Sequence, residues 1–344
     1  VWQLAESDFE TLDTTLPVEG ERGDQRKEPW LLHSLSVNAL NFCAFGMCYD
    51  RDERKGKLST AKIDATDSVP SGNLANEIAS VPMQPEPANR AVILAVSNAL
   101  DSGAIDFFHL PSERRVSTLP GDKDIKTGMV MALSLRKYPP NGLLIAVTGY
   151  ESGHAMVHVR QISNDPDQPW SFKKVLVSHP HSQPLLSLDI SPTSAFFFTS
   201  SADAIIAKFA ISADGSTSEV IDKPNKILNT KHAGQQGLKV RSDGKIFATA
   251  GWDARVRVYS AKAMQELAVL KWHKEGCYAV SFATIGPANV PENAEIGSTR
   301  RELVTTRQSS ALDAIKDQRN ARAKNTHWLA AGGKDGKISL WDIY

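Results

Sequence analysis

Histidine, aspartate and tryptophan recur along this chain in a repeating order, and these are side chains with which proteins relay protons and hold metals. His33, His179 or His181, His232 and His273 each stand just ahead of a stretch of apolar text. Polar turn positions occur at Ser102, Ser152, Asp203, Asp253 and Asp335, and six residues beyond them stand Phe108, His158, Phe209, Tyr259 and Trp341. Two chemistries fit such a set. One is a reactive imidazole with a carboxylate partner. The other is a buried hydrogen-bond network in which loop imidazole, turn carboxylate and strand-end ring together lock a structural unit. The histidines sit at loop entrances, with no CxxC pair and no zinc spacing. The locking network is therefore the expectation for His232, Asp253, Tyr259, His273, Asp335 and Trp341, and no catalytic, cofactor-binding or metal residue is assigned.

The elements that position these groups follow from the same repeat. Successive turn positions lie 50, 51, 50 and 82 residues apart. Before each turn runs an apolar segment: AVILAVS, LLIAVTG, AFFFTSS, KIFATAG and HWLAAGG. After it, apolar residues alternate, as in Ile105/Phe107, Val256/Val258 and Ile338/Leu340, the period of a strand with one buried face. A further strand lies upstream (VNALNFCAF, VMALSLRKY, PLLSLDIS, GLKVRS, CYAVSFA) and a short fourth one follows, as in RRVSTLPG and FKKVLVS. Gly103, Gly153 and Gly336 come directly after the turn position, where a hairpin needs positive φ.

Four antiparallel strands in about 40–50 residues, with Trp-Asp at the end, is the blade pattern of a WD40-type β-propeller, so the fold class is all-β. Seven blades are expected in the intact protein and about five complete ones are visible here. VWQL reads as the end of an earlier blade and WDIY as the third strand of the last. Residues 1–344 are thus expected to be a single propeller lacking its N-terminal blades. Segments 50–89 and 286–326, rich in Pro, Ser and charge, are expected as long inserts between the first and second strands of their blades.

Composition narrows the function. Lys plus Arg balance Asp plus Glu, 39 against 39, so no global field gathers nucleic acid or an anionic membrane. The apolar runs are strand-sized and too short to span a bilayer. Cys43, Cys48 and Cys277 are odd in number, and two of them lie in strand text, so they read as buried thiols in a reducing, intracellular compartment. An enzyme built on such a ring needs converging acids or a metal cluster around the inner strands. Those strands carry only Asp189, Arg136, Arg241 and Lys239, too sparse for a constellation.

Partner-binding candidates stand on turns and inserts. Trp252 and Arg255 in GWDAR fall at a hairpin turn on the same face as Lys334 and His154, and such a pair is either an interface anchor or a blade cap with a neighbouring acid on the arginine. Leu312 and Ile315 share one face of SSALDAIKDQRNAR, which reads either as a short docking helix or as a mildly basic loop. WDAR imitates the WDxR box of cullin-ligase substrate receptors, but there the box closes the third strand, and here it precedes it. A substrate receptor is the competing function.

PWLLHSLSVNALNFCAF, the GYESGHAMV turn, GLKVRSDGKIFATAGWDARVRVYS and WLAAGGKDGKISLWDIY resemble the ASTRA-associated protein 1 family of fungi. These WD-repeat proteins are similar to the G-protein β-subunit-like proteins of animals. The resemblance covers the chain apart from its two long inserts. It implies a nuclear, non-enzymatic scaffold of the ASTRA assembly without cofactor, membrane, small-molecule substrate or direct nucleic-acid partner. The implied protein partners are the TTT co-chaperone, the Rvb AAA+ ATPases and a PI3K-like kinase family member. The implied roles are in chromatin regulation and in the maturation or stability of PI3K-related kinases.

Overall fold

The apolar text before each turn folds as the second strand of an antiparallel sheet, and the text on either side supplies its neighbours. A computed structural model of the chain describes residues 2–3, 30–35, 37, 43–50, 91–139, 141–162, 168–212, 220–285, 315, 318–320, 322–323 and 325–343. Two short strands, β1 (Trp2–Gln3) and β2 (Trp30–Leu31), pair antiparallel. Five sheets follow in chain order. Sheet I is β3 (Gly46–Tyr49), β4 (Val92–Ser97), β5 (Ile105–Leu110) and β6 (Arg114–Leu119). Sheet II is β7 (Val130–Lys137), β8 (Leu144–Tyr150), β9 (Ala155–Arg160) and β10 (Phe172–Ser178). Sheet III is β11 (Leu185–Ile190), β12 (Phe196–Ser201), β13 (Ile205–Ala210) and β14 (Lys226–Asn229). Sheet IV is β15 (Gln235–Val240), β16 (Ile246–Gly251), β17 (Arg255–Ser260) and β18 (Glu266–Lys271). Sheet V has three strands among the described residues, β19 (Cys277–Phe282), β20 (Trp328–Gly333) and β21 (Ile338–Asp342).

Within each sheet the strands pair in sequence order, and the first strands β3, β7, β11, β15 and β19 lie side by side in succession. This is the arrangement of a partial β-propeller: four four-stranded blades and a fifth with three. The second strands β8 and β16 are buried along their whole length, as near-continuous apolar text requires when both faces are covered. The third strands β5, β9 and β17 depart from the one-buried-face alternation, whereas β21 alternates with Ile338 (73%) and Leu340 (65%) exposed, the opposite of the expected buried face. In β5, Asp106 is as buried as Ile105 and Phe107, and β9 is buried from Ala155 to Val159. Sheet II packs between sheets I and III, so its middle strand β9 has no solvent side, and Asp106 in sheet I is covered by the Asn98 and Thr118 side chains that hydrogen-bond its carboxylate. The fourth strands β14 and β18 carry the exposed positions instead.

Aromatic rings bind the sheets together. Phe198 of β12 stacks on Phe247 of β16 at 4.2 Å, and Phe247 stacks on Tyr259 of β17 at 5.1 Å, a continuous ladder across sheets III and IV. In sheets II to V the first strand slips register against the second after its first residue, at Val130/Ala132, Leu185/Ser187, Gln235/Gly237 and Cys277/Ala279. A bulge at one place in four blades is a built feature that turns the strand entrance toward the hairpin loops.

Some expectations shift. In sheet I, described strand begins at Gly46, after the VNALNFCAF text, of which residues 38–42 lie outside the described residues. Gly153 and Gly336 hold φ of 83° and 68°, but Gly103 does not adopt positive φ, and Ala254 takes it (61°) in sheet IV. The segments 50–89 and 286–326 fall largely outside the described residues. Within the second, Ile315, 318–320, 322–323 and 325 are helical, which favours the helix over the loop there.

Candidate functional site: the hairpin-loop face

The loops that enter each first strand and the hairpins between second and third strands share one face, and the repeating polar groups meet there. In sheet V, His273 Nδ1 lies 3.1 and 3.2 Å from the two carboxylate oxygens of Asp335, and its Nε2 lies 3.0 Å from Ser339 Oγ. Trp341 Nε1 donates to the same Ser339 oxygen at 2.9 Å. The carboxylate can only accept, so Nδ1 carries the proton and the Ser339 hydroxyl donates to Nε2. The four side chains form one chain of hydrogen bonds from turn to strand end.

Sheet III repeats it with a change. His181, 1% exposed, joins Asp203 (3.2 Å) to Thr199 Oγ1 (2.9 Å), and Phe209, at the place of Trp341, donates nothing. Thr199 stands on the second strand opposite Ala207, whereas Ser339 stands on the third strand opposite Ala331. The hydroxyl has changed strands within the same rung and still reaches the imidazole.

Sheet IV is built otherwise. His232 is 3.9 Å from Asp253, beyond hydrogen-bond reach, and 45% of its side chain is exposed. His181 and His273 precede their first strands by four residues, and His232 precedes β15 by three, which takes it out of the pocket. Fully buried Gln235 fills the place: Thr249 Oγ1 donates to its Oε1 at 2.6 Å, and its Nε2 donates to the His232 carbonyl. Arg257 grips Asp253 with two bonds, 3.1 and 2.6 Å. Tyr259 contributes its stacked ring, and burial pushes its hydroxyl up to about 12. In sheet I, His33 pairs with Glu113 in the turn between β5 and β6, not with the Ser102 hairpin. In sheet II, His154 and His179 stack at 4.2 Å, each bonded to Ser152.

Among the inner-strand charges, Asp189, Lys239 and Arg241 are engaged, whereas Arg136 Nε is buried without a hydrogen-bond partner among the described residues. Asp189 accepts from the Val240 N–H at 2.8 Å and faces Lys239 at 3.5 Å, and Arg241 forks onto Asp243. Among the described residues no group of three or more His, Cys, Asp or Glu is placed to hold a metal. Burial pushes the thiols of Cys43 to about 12 and of Cys48 and Cys277 to about 11, and none of the three forms a disulfide. Such thiols stay protonated and unreactive at neutral pH.

The partner-binding candidates divide into two places. Trp252 is 47% exposed; its ring lies on Gly234, where a Cβ would come within 2.2 Å of it, and its N–H bonds Gln236 Oε1 at 2.9 Å. Arg255 donates to the Ala254 carbonyl at 3.3 Å, not to an acid of a neighbouring blade. Lys334 is exposed, and its backbone N–H binds the Gly276 carbonyl beside Trp252. Ile315 is helical and 46% exposed, and further along Ala323, also helical, accepts from the Trp328 indole N–H at the start of β20. Ala323 thus lies at the end of β20 opposite the Lys334 hairpin, and Leu312 lies outside the described residues. Sequence reasoning missed Gln235, Arg257, Thr199 and Ser339. The off-by-one spacing of His232 was the available signal.

The WD domain, G-beta repeat family matches residues 170–207 and 322–342. The first segment contains the His181, Thr199 and Asp203 set, and the second contains Asp335, Ser339 and Trp341. Over its whole length the chain is 45% identical to ASTRA-associated protein 1 of Aspergillus niger, of which it covers 79%. It is 33% identical to ASTRA-associated protein 1 of Schizosaccharomyces pombe, over 65% of this chain and 64% of that protein. It is also 26% identical to guanine nucleotide-binding protein subunit beta-like protein 1 of Mus musculus, over 71% of this chain and 58% of that protein.

Proposed function

This chain belongs to the ASTRA-associated protein 1 family, and from that premise we propose that it is a non-catalytic WD40 scaffold subunit of a nuclear ASTRA assembly. In this reading it associates with the TTT co-chaperone and the Rvb AAA+ ATPases. Through them it serves chromatin regulation and the maturation of PI3K-related kinases. The observation that supports the scaffold role is how the reactive side-chain types are used: the imidazole–carboxylate pairs of sheets III and V join loop to strand, while exposed aromatic and cationic side chains stand on the surrounding loops. Rigid sheets that present such loops suit assembly.

Affinity purification of the tagged full-length protein from nuclear extract, with the co-purifying chains identified by mass spectrometry, tests it. Recovery of the TTT subunits and the paired AAA+ ATPases is the expected result. Recovery of a cullin adaptor in their place overturns it in favour of a substrate receptor.

A further inference from the structure

Three large exposed aromatic side chains stand at the junction of sheets IV and V: Trp252 on the β16–β17 hairpin, Trp272 on the connection from β18 to β19, and Tyr278 at the start of β19. Trp252 is 47%, Trp272 51% and Tyr278 45% exposed. Gly276 holds two of them together: a Cβ there would lie 3.2 Å from the Trp252 backbone and 3.3 Å from the Tyr278 ring. Lys334 closes the same spot through its N–H bond to the Gly276 carbonyl. On the outer side, Trp272 meets His273 edge-on at 4.9 Å, and Lys337 Nζ stands 5.9 Å from the Trp272 ring centre. Tyr278 thus stands beside the Trp252 hairpin, and Trp272 flanks the sheet V network through His273.

Its charge is one-sided. Lys271, Lys274, Lys334 and Lys337 are exposed, and Arg255 stands at the foot of the same hairpin. Of the nearby acids, Asp253 is neutralised by Arg257, Asp335 is largely buried in its hydrogen bond to His273, and Glu275 is the exposed carboxylate among the lysines, so the cations outnumber the acids. Against a chain whose formal charge sums to zero, this is a local excess of cations around apolar rings. Aromatic anchors ringed by cations match a strand of acid that brings one apolar residue with it. A nucleic-acid strand fits less well. The Trp252 ring is laid on Gly234 with its N–H bound, so one face is closed to stacking, and the lysines ring the aromatics instead of forming a track.

We propose that this junction of sheets IV and V is a docking surface for an acidic peptide segment carrying a single aromatic or aliphatic anchor. The inference deepens the scaffold reading and rests on it, since it states the chemistry of the partner segment that the hairpin-loop face takes. The acidic residues lie against Lys334, Lys337 and Lys274, and the anchor packs against Trp252 and Tyr278.

The test uses the full-length protein and a fluorescein-labelled peptide of roughly twelve residues, mostly Glu and Asp with one central Leu, read by anisotropy. A charge-reversed peptide and a single-stranded oligonucleotide of similar length serve as the comparison probes. Expected are binding of the acidic peptide alone, weakening between about 0.05 and about 0.5 M NaCl, and a loss of about tenfold or more in the K334E/K337E double variant. Y278A, at an exposed position, is expected to weaken the Leu peptide and not one with Leu replaced by Ser. Absence of acidic-peptide binding, tighter binding of the oligonucleotide, or equal binding by K334E/K337E that melts like the parent each overturns the proposal. Purifying the assembly with wild type and K334E/K337E separates this inference from the scaffold reading. If both recover the same subunits, the surface fails and the scaffold stands; if peptide binds but wild type recovers no assembly, the scaffold fails and the surface stands.

Discussion

Asp203 carries its charge at the centre of the sheet III lock, accepting from His181 and from the backbone N–H groups of Ser182 and Ile205. Burial alone would raise its pKa, but these hydrogen bonds outweigh it and hold the carboxyl below its ordinary value of 3.8. A carboxyl more acidic folded than unfolded adds stability that is complete above the ordinary value and fades as pH falls through the lower folded one. D203N is therefore expected to cost about 1–3 kcal/mol at neutral pH. Urea unfolding at neutral and acidic pH should show the gap to wild type narrowing as the acid limit is approached. Sheet IV supplies a second contrast. H232A, at a half-exposed side chain, should change stability by less than about 0.5 kcal/mol. Q235A leaves the buried Thr249 hydroxyl without its acceptor and should cost about 1–3 kcal/mol. Equal losses in the two variants would mean that His232 holds the lock after all.

At the scale of elements, the sheets close without their long connections. The Asp50 N–H donates to the Ala91 carbonyl at 2.8 Å, and the Ala283 N–H donates to the Trp328 carbonyl at 2.8 Å, so the ends of each connection are already paired across the ladder. Chain between two paired ends adds mainly loop entropy, which grows slowly with length. Replacing residues 51–90 by a short Gly-Ser link should leave a cooperative melt within about 1 kcal/mol of the parent. Thermal unfolding followed by circular dichroism reads this, and loss of the cooperative transition would show that the segment helps to hold sheet I. The paired Thr199 and Ser339 arrangements make a related point: a rung has two positions facing the same imidazole, and either strand can supply the hydroxyl.

Across the molecule, stability passes from sheet to sheet through the first strands. Leu185 at the start of β11 is fully buried, and its side chain fills the space where a Cβ on Gly149 of sheet II would sit. L185A opens that contact between two sheets and should cost about 2–5 kcal/mol. Trp170 lies beside β10 in sheet II and Trp328 and Trp341 lie in sheet V, so tryptophan fluorescence and far-ultraviolet dichroism sample different parts of the array. One coincident transition in both, shifted as a unit, is expected if neighbouring sheets are strongly coupled. Separate transitions would mean that the sheets unfold singly.

The sequence by itself determined the strands, the turns and the order of the sheets, because these rest on local periodicity and on turn residues within a few positions of one another. AVILAVS and LLIAVTG could be read as buried strands, and Asp335 and Trp341 as members of one repeat, without knowing any contact between them. Tertiary structure alone decided which polar groups meet. Bulges at Val130, Leu185, Gln235 and Cys277 set the entry of each first strand alike, and in sheet IV the spacing from His232 to β15, shorter by one residue, leaves the place to Gln235. It also decided that Trp252 and Tyr278 gather beside Lys334, whereas Ala323 stands at the other end of β20. Hydrogen-bond reach is about 3 Å and a strand advances about 3.3 Å per residue, so a single step of register makes or breaks each of these sites.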